Sequence, residues 1–155
     1  MKKILVIPLL AALLCGCATS PVAEKLPTSQ IYAAPKDKVW PLVVSEVGLQ
    51  YPVKAIEKES GLLTTDFVNL DAGYDNGEMG RWVFPPREFL ATWNGLRVTL
   101  SVLVVELEPG KTQVSIQTHY EAFENNVQHA WIVCDSNGSL ENGILTQIAQ
   151  KLSTP

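Results

Sequence analysis

Leu96-Arg97-Val98-Thr99-Leu100-Ser101-Val102 alternates apolar and polar side chains without a break. Successive side chains of a strand point to opposite faces, so this pattern predicts a strand with Leu96, Val98, Leu100 and Val102 on one side and Arg97, Thr99 and Ser101 on the other. The strand runs on as Leu103-Val104-Val105, where the alternation lapses. That lapse predicts either cover on both faces or a bulge that shifts the register. Pro109-Gly110 then turns the chain, and Thr112 to Phe123 alternates again, with Val114, Ile116 and Tyr120 opposite Gln117, His119 and Glu121. Two alternating strands around a tight turn predict a long antiparallel hairpin with one apolar face.

Working outward, Val53 to Glu57 and Leu62 to Val68 flank Lys58-Glu59-Ser60-Gly61, a second hairpin in which Gly61 supplies the positive φ that a tight turn needs. Ser29 to Ala33 reads as a short strand. A helix follows from Asp37 as N-cap, with Val39, Trp40, Val43, Val44 and Val47 on one stripe, Pro41 near the end of the first turn and Gly48 as the stop. Trp131 to Cys134 reads as a last strand. The turn residues Asp135 to Ser139 then launch a helix carrying Leu140, Ile144, Leu145, Ile148 and Leu152 at helical spacing. The expected fold is α+β, a single domain over residues 29–155 in which two helices pack on one face of a curved antiparallel sheet.

Asn69 to Trp93 fits this scheme poorly, because it would be an unusually long connection. Its large apolar residues, Tyr74, Met79, Trp82, Val83, Phe84, Phe89 and Trp93, are too many to leave in water, so part of it should pack or meet a partner. Trp82 to Phe84 reads as an extra strand halted by Pro85-Pro86. Trp82, Phe84, Phe89 and Trp93 are the candidate partner-binding residues, since large aromatics dominate interface energetics; core packing is the competing role for each.

The chain opens with Lys2 and Lys3, then a short apolar stretch from Ile4, then Leu14-Cys15-Gly16-Cys17. A charged start, a short apolar run and small residues form the layout of a secretory signal peptide, too short to persist as a spanning helix. Leu-x-Gly-Cys resembles the lipobox of bacterial lipoproteins. The resemblance implies removal of residues 1–16, a diacylglycerol thioether on Cys17 and acylation of the new amine. Several acyl chains give a far more stable anchor than one. Ala18, which is not aspartate, implies sorting to the outer membrane, facing the periplasm. Residues 17–28 then form the lipidated cysteine and a Pro- and Thr-containing tether.

Without Lys2 and Lys3 the remaining 139 residues hold ten basic and sixteen acidic side chains, with no basic cluster. That balance argues against a nucleic-acid partner. Cys15 leaves with the leader and Cys17 is consumed, so Cys134 has no disulfide partner, and its place after Ala130-Trp131-Ile132-Val133 suits a small buried apolar residue.

Tests for chemistry give little. Asp71 to Glu78 crowds carboxylates and glycines, but Gly73 and Asn76 fall where a calcium loop needs an oxygen ligand and a glycine. His119 and His129 lack the spacing of a zinc site, and His119 is expected on an exposed strand face. Ser136 and Ser139 lie in no nucleophile elbow and suit turn and capping roles. No metal, cofactor or enzymatic activity is expected.

Lys38-Val39-Trp40, Glu59-Ser60-Gly61-Leu62-Leu63-Thr64-Thr65-Asp66 and the stretch from Ser136 to Glu141 together make the chain similar to BamC-type lipoproteins. The resemblance implies a helix-grip domain and a role in outer-membrane assembly. The leading expectation is a non-enzymatic, lipid-anchored binding module for an envelope protein, which engages a sheet face, an edge strand or the 69–93 segment. The alternative is a carrier of a small apolar ligand, with Leu103, Val105 and Trp40 lining its pocket.

Overall fold

The computed structural model describes residues 24–70, 76–86 and 91–154; the expected leader, Cys17, most of the acidic 71–78 stretch and Phe89 lie outside the described residues. In chain order the elements are β1 (Ser29–Tyr32), α1 (Lys36–Gly48), β2 (Val53–Glu57), β3 (Leu62–Thr65), β4 (Val68–Leu70), α2 (Asn76–Met79), β5 (Val83–Phe84), β6 (Trp93–Glu108), β7 (Lys111–Glu124), β8 (Ala130–Ser136) and α3 (Ser139–Ser153). The strands pair antiparallel in the order β2-β3-β6-β7-β8-β5, with β4 also on β6 and β1 also on β7. The fold is α+β, one sheet with α1 and α3 on one face.

The expected hairpin is β6 and β7, paired from Trp93 opposite Glu124 down to Glu108 opposite Lys111, with register shifts between Trp93 and Leu96 and between Glu106 and Glu108. Its even-numbered side chains, Leu96 to Val104 and Val114 to Ala122, bury against Val39, Trp40, Val43 and Val47 of α1 and Ile144, Leu145 and Ile148 of α3. Each such side chain, fully buried, contributes about 1.5–3 kcal/mol from area removed from water. The odd-numbered side chains form an open face. Leu103 and Val105 belong to it: the register runs unbroken from Leu96 opposite Ala122 to Glu106 opposite Thr112, with its irregularities outside that span, so neither the double cover nor the bulge expected at 103–105 is present. Leu103 remains 43% exposed.

Residues 62–68 are not one strand. β3 pairs Leu62 with Leu103 and Thr64 with Ser101, whereas β4 pairs Val68 with Val98, so Thr65, Asp66 and Phe67 together oppose Thr99 and Leu100. Thr65 Oγ1 accepts the Leu100 N–H at 2.9 Å within this bulge. An extra residue reverses which face the following side chains take, and it delivers Phe67 to the open face while Val68 and Leu70 turn back to the core.

Helix α1 begins at Lys36, after Pro35 in an extended conformation, so Asp37 sits in the first turn and is not the cap. Pro41 is then the sixth helical residue. Its missing N–H leaves the Asp37 carbonyl without a helical donor, a cost limited because Pro41 lies on the exposed side. The poorly fitting segment does pack: Met79 and Val83 are fully buried, and the expected extra strand is Val83-Phe84, paired with Ser136 and Asp135. No helix among the described residues is long and apolar enough to cross a membrane.

Candidate functional site

One edge of β7 is shared by two strands that do not meet. β1 pairs with residues 112–115 and β8 with residues 120–124. Between them Ile116 N–H still reaches the Thr28 carbonyl at 2.8 Å, but the next residue back is Pro27, which has no N–H to extend the ladder. β8 leaves β7 after Cys134 and gives Asp135 and Ser136 to β5. The far side of the gap is closed where Leu26 N–H bonds the Asn137 carbonyl at 2.8 Å. Gly138 permits that crossing: its φ is +84°, and a Cβ there would lie 2.3 Å from the Leu26 carbonyl oxygen.

A groove of about 700 Å³ opens over this gap. Leu103, Val133 and Gln117 stand at its exposed end, Lys25, His119 and Asp135 flank it, and Thr118, Ser136 and Glu141 line its buried end. Glu141, in the first turn of α3, is only 1% exposed. The Thr118 and Ser136 hydroxyls both donate to Glu141 Oε1 at 2.7 Å. Glu141 Oε2 is buried and has no partner among the described residues; the same holds for the Tyr120 hydroxyl. Burial, then the charge of Glu141 and the nearby Tyr51, raises the Tyr120 hydroxyl well above the ordinary tyrosine range. A carboxylate held by two hydroxyls, with one oxygen left over, can accept from a ligand donor.

Beside the groove the open face carries a braced aromatic cluster. The Arg97 guanidinium lies 4.3 Å from the Phe67 ring centre and 4.0 Å from that of Trp131. Arg97 Nε donates to Glu121 Oε2 at 2.6 Å across the β6–β7 pair, and His119 Nε2 lies 3.1 Å from Glu121 Oε1. Burial alone would raise the Glu121 carboxyl, but the bonds and charges of Arg97 and His119 hold it below the usual range. Phe123 meets Trp131 edge-on at 5.4 Å. The aromatic rims are thus fixed while Arg97 is neutralised by its partner.

The candidate aromatics do not form one surface. Trp93 is 3% exposed and belongs to the core, because the register shift between Trp93 and Leu96 reverses the face that this odd-numbered residue takes. Trp82 and Phe84 are half-buried against β8; Arg81 stacks on Trp82 at 5.6 Å and the Trp82 carbonyl takes the Asn137 N–H. The apolar pocket is also corrected: Trp40 is buried under α1, whereas Leu103 and Val105 point to the opposite face, so the three line no common cavity. Cys134 is buried and His119 is exposed, each as expected. Ser136 accepts the Gly138 N–H at 3.0 Å, the turn role expected of it, and it also serves Glu141; Ser139 opens α3 and is not its cap, which is Gly138. Among the described residues no three His, Cys, Asp or Glu side chains converge as metal ligands.

Sequence reasoning missed Thr118 and Glu141 as a pair, because they are 23 residues apart on different elements. An acidic residue amid the apolar stripe of α3 was the available signal. Phe67 was missed because strand alternation assigns it to the core side. Compared with known proteins, the sequence matches no family model and no curated protein.

Proposed function

We propose that this chain is a lipoprotein anchored through Cys17 in the outer membrane, facing the periplasm, and that it acts as a non-enzymatic binding module for another envelope protein. The carrying observation is the uncovered sheet face, where Phe67, Trp131, Leu103, Val105 and Val133 remain exposed around the braced Arg97. Val133, opposite Glu121 on the open face of β8, is 61% exposed, where an unpartnered fold would favour a polar residue. Phenylalanine, tryptophan and arginine anchors held rigid in this way lose little entropy on binding. The binding surface is therefore assigned to the open face in place of the 69–93 segment. The similarity to BamC-type lipoproteins at Lys38 to Trp40, Glu59 to Asp66 and Ser136 to Glu141 supports an envelope role.

The test is photo-crosslinking in intact cells of the natural, full-length protein, with a benzophenone side chain placed at Val133, at Val105 or, on the helix side, at Gln147. Discrete adducts to one envelope protein from positions 133 and 105, and none from 147, support the reading. Equal labelling from all three positions, or an intact mass showing Cys17 unmodified, overturns it.

A further inference from the structure

The geometry points to a binding site for a primary alkylammonium group at the gap between β1 and β8, its charged head on Glu141 and its apolar stem against Leu103 and Val133. Three observations converge on this. The gap leaves the interior of the sheet reachable from the open face at Thr118, where neither β1 nor β8 pairs with β7. At its buried end Glu141 has one oxygen filled by two hydroxyls and the other with no partner among the described residues, although 99% of the residue is covered. A buried carboxylate oxygen without a donor is costly, and a donor arriving with a ligand removes that cost.

The ligand class follows from the walls. A single carboxylate with two hydroxyls offers too few anionic ligands for a divalent cation, which takes six or more oxygens in the case of calcium. It suits a compact cation with several donors, and a primary ammonium has three hydrogens to share between Glu141 and the Thr118 and Ser136 oxygens. The exposed end is apolar, with Leu103 and Val133, so a methylene stem gains by lying there. A side chain of lysine type or a small aliphatic amine has this shape. The site shares Leu103 and Val133 with the open face, but its charged end at Glu141 does not depend on the protein-docking reading.

The test titrates the full-length isotope-labelled protein in non-ionic detergent with n-butylammonium, and follows the amide resonances of Thr118, Ser136 and Gly138. The controls are butyltrimethylammonium, a cation with no N–H, and 1-butanol, a neutral donor with the same stem. Saturable millimolar binding of n-butylammonium alone is expected, weakened about tenfold or more in Glu141→Gln, in line with the loss of one charge-assisted hydrogen bond. Gln117→Trp, an exposed change that obstructs the groove and leaves Glu141 untouched, should also suppress it, and this variant decides the matter if Glu141→Gln does not fold. Absence of saturation, an equal response to either control, or a response unchanged in the folded variants overturns the assignment.

Discussion

Thr65 Oγ1 accepts the backbone N–H of Leu100 at 2.9 Å, so a side chain occupies a place in the β3–β6 ladder that a carbonyl would otherwise fill. The substitution of side chain for backbone is what allows one extra residue into the strand. Thr65→Val keeps the volume but removes the acceptor, leaving a buried N–H unsatisfied. It should destabilise by about 1–3 kcal/mol in urea unfolding, and Thr65→Ser should restore most of the loss.

Arg97 and Glu121 face each other across the central strand pair, and Arg97 also spaces Phe67 from Trp131. A double-mutant cycle of Arg97→Met and Glu121→Gln should give a coupling of about 1–2 kcal/mol, because the pair is partly buried and hydrogen-bonded. Both variants should remain folded. The Trp131 fluorescence should change in Arg97→Met as the ring loses its cationic neighbour, which an emission scan would detect.

Glu124, fully covered at the end of β7, accepts the N–H groups of Thr92, Asn126, Val127 and Gln128. Burial works to raise its pKa, yet the four N–H donors bring it down from 4.5 to about 2. A carboxyl depressed in the folded state contributes stability that is complete above pH 4.5 and is lost as the pH falls toward 2. Thermal unfolding of the wild type should show this loss, with Glu121 adding to it in the same direction. Glu124→Gln should be less stable at neutral pH, and its deficit should shrink as the pH drops through that window.

Tyr32 donates its hydroxyl to the Leu145 carbonyl at 2.7 Å, and burial pushes its pKa up to about 12. A group whose folded pKa exceeds its ordinary 10.0 holds its full contribution below pH 10 and loses it as pH rises toward 12. Tyr32→Phe should cost about 0.5–1.5 kcal/mol at neutral pH and reduce the alkaline loss seen by circular dichroism.

Gly138 admits the Leu26 carbonyl where a Cβ would collide with backbone. Gly138→Ala should therefore displace residues 24–28 from Asn137 and widen the groove. Hydrogen exchange should report it as lost protection at the Leu26 amide, with the central β6 and β7 amides unchanged.

The amino-acid sequence by itself determined the central hairpin, the apolar stripes of α1 and α3 and the α+β class, because period-two and period-3.6 burial are local properties that each segment carries alone. It also marked a strand at Trp82 to Phe84, of which Val83 and Phe84 pair, and Cys134 as buried. Tertiary structure decided the rest. The flip of Phe67 depends on how many residues β3 and β6 each place between two pairings, the burial of Trp93 on the register shift before Leu96, and the exposure of Val105 and Leu103 on which face the helices cover. The Glu141, Thr118 and Ser136 cluster exists only because β8 leaves β7 as α3 begins, bringing three elements to one point. Such meetings are set by long-range register and by packing between elements, and neither is written in the periodicity of any single segment.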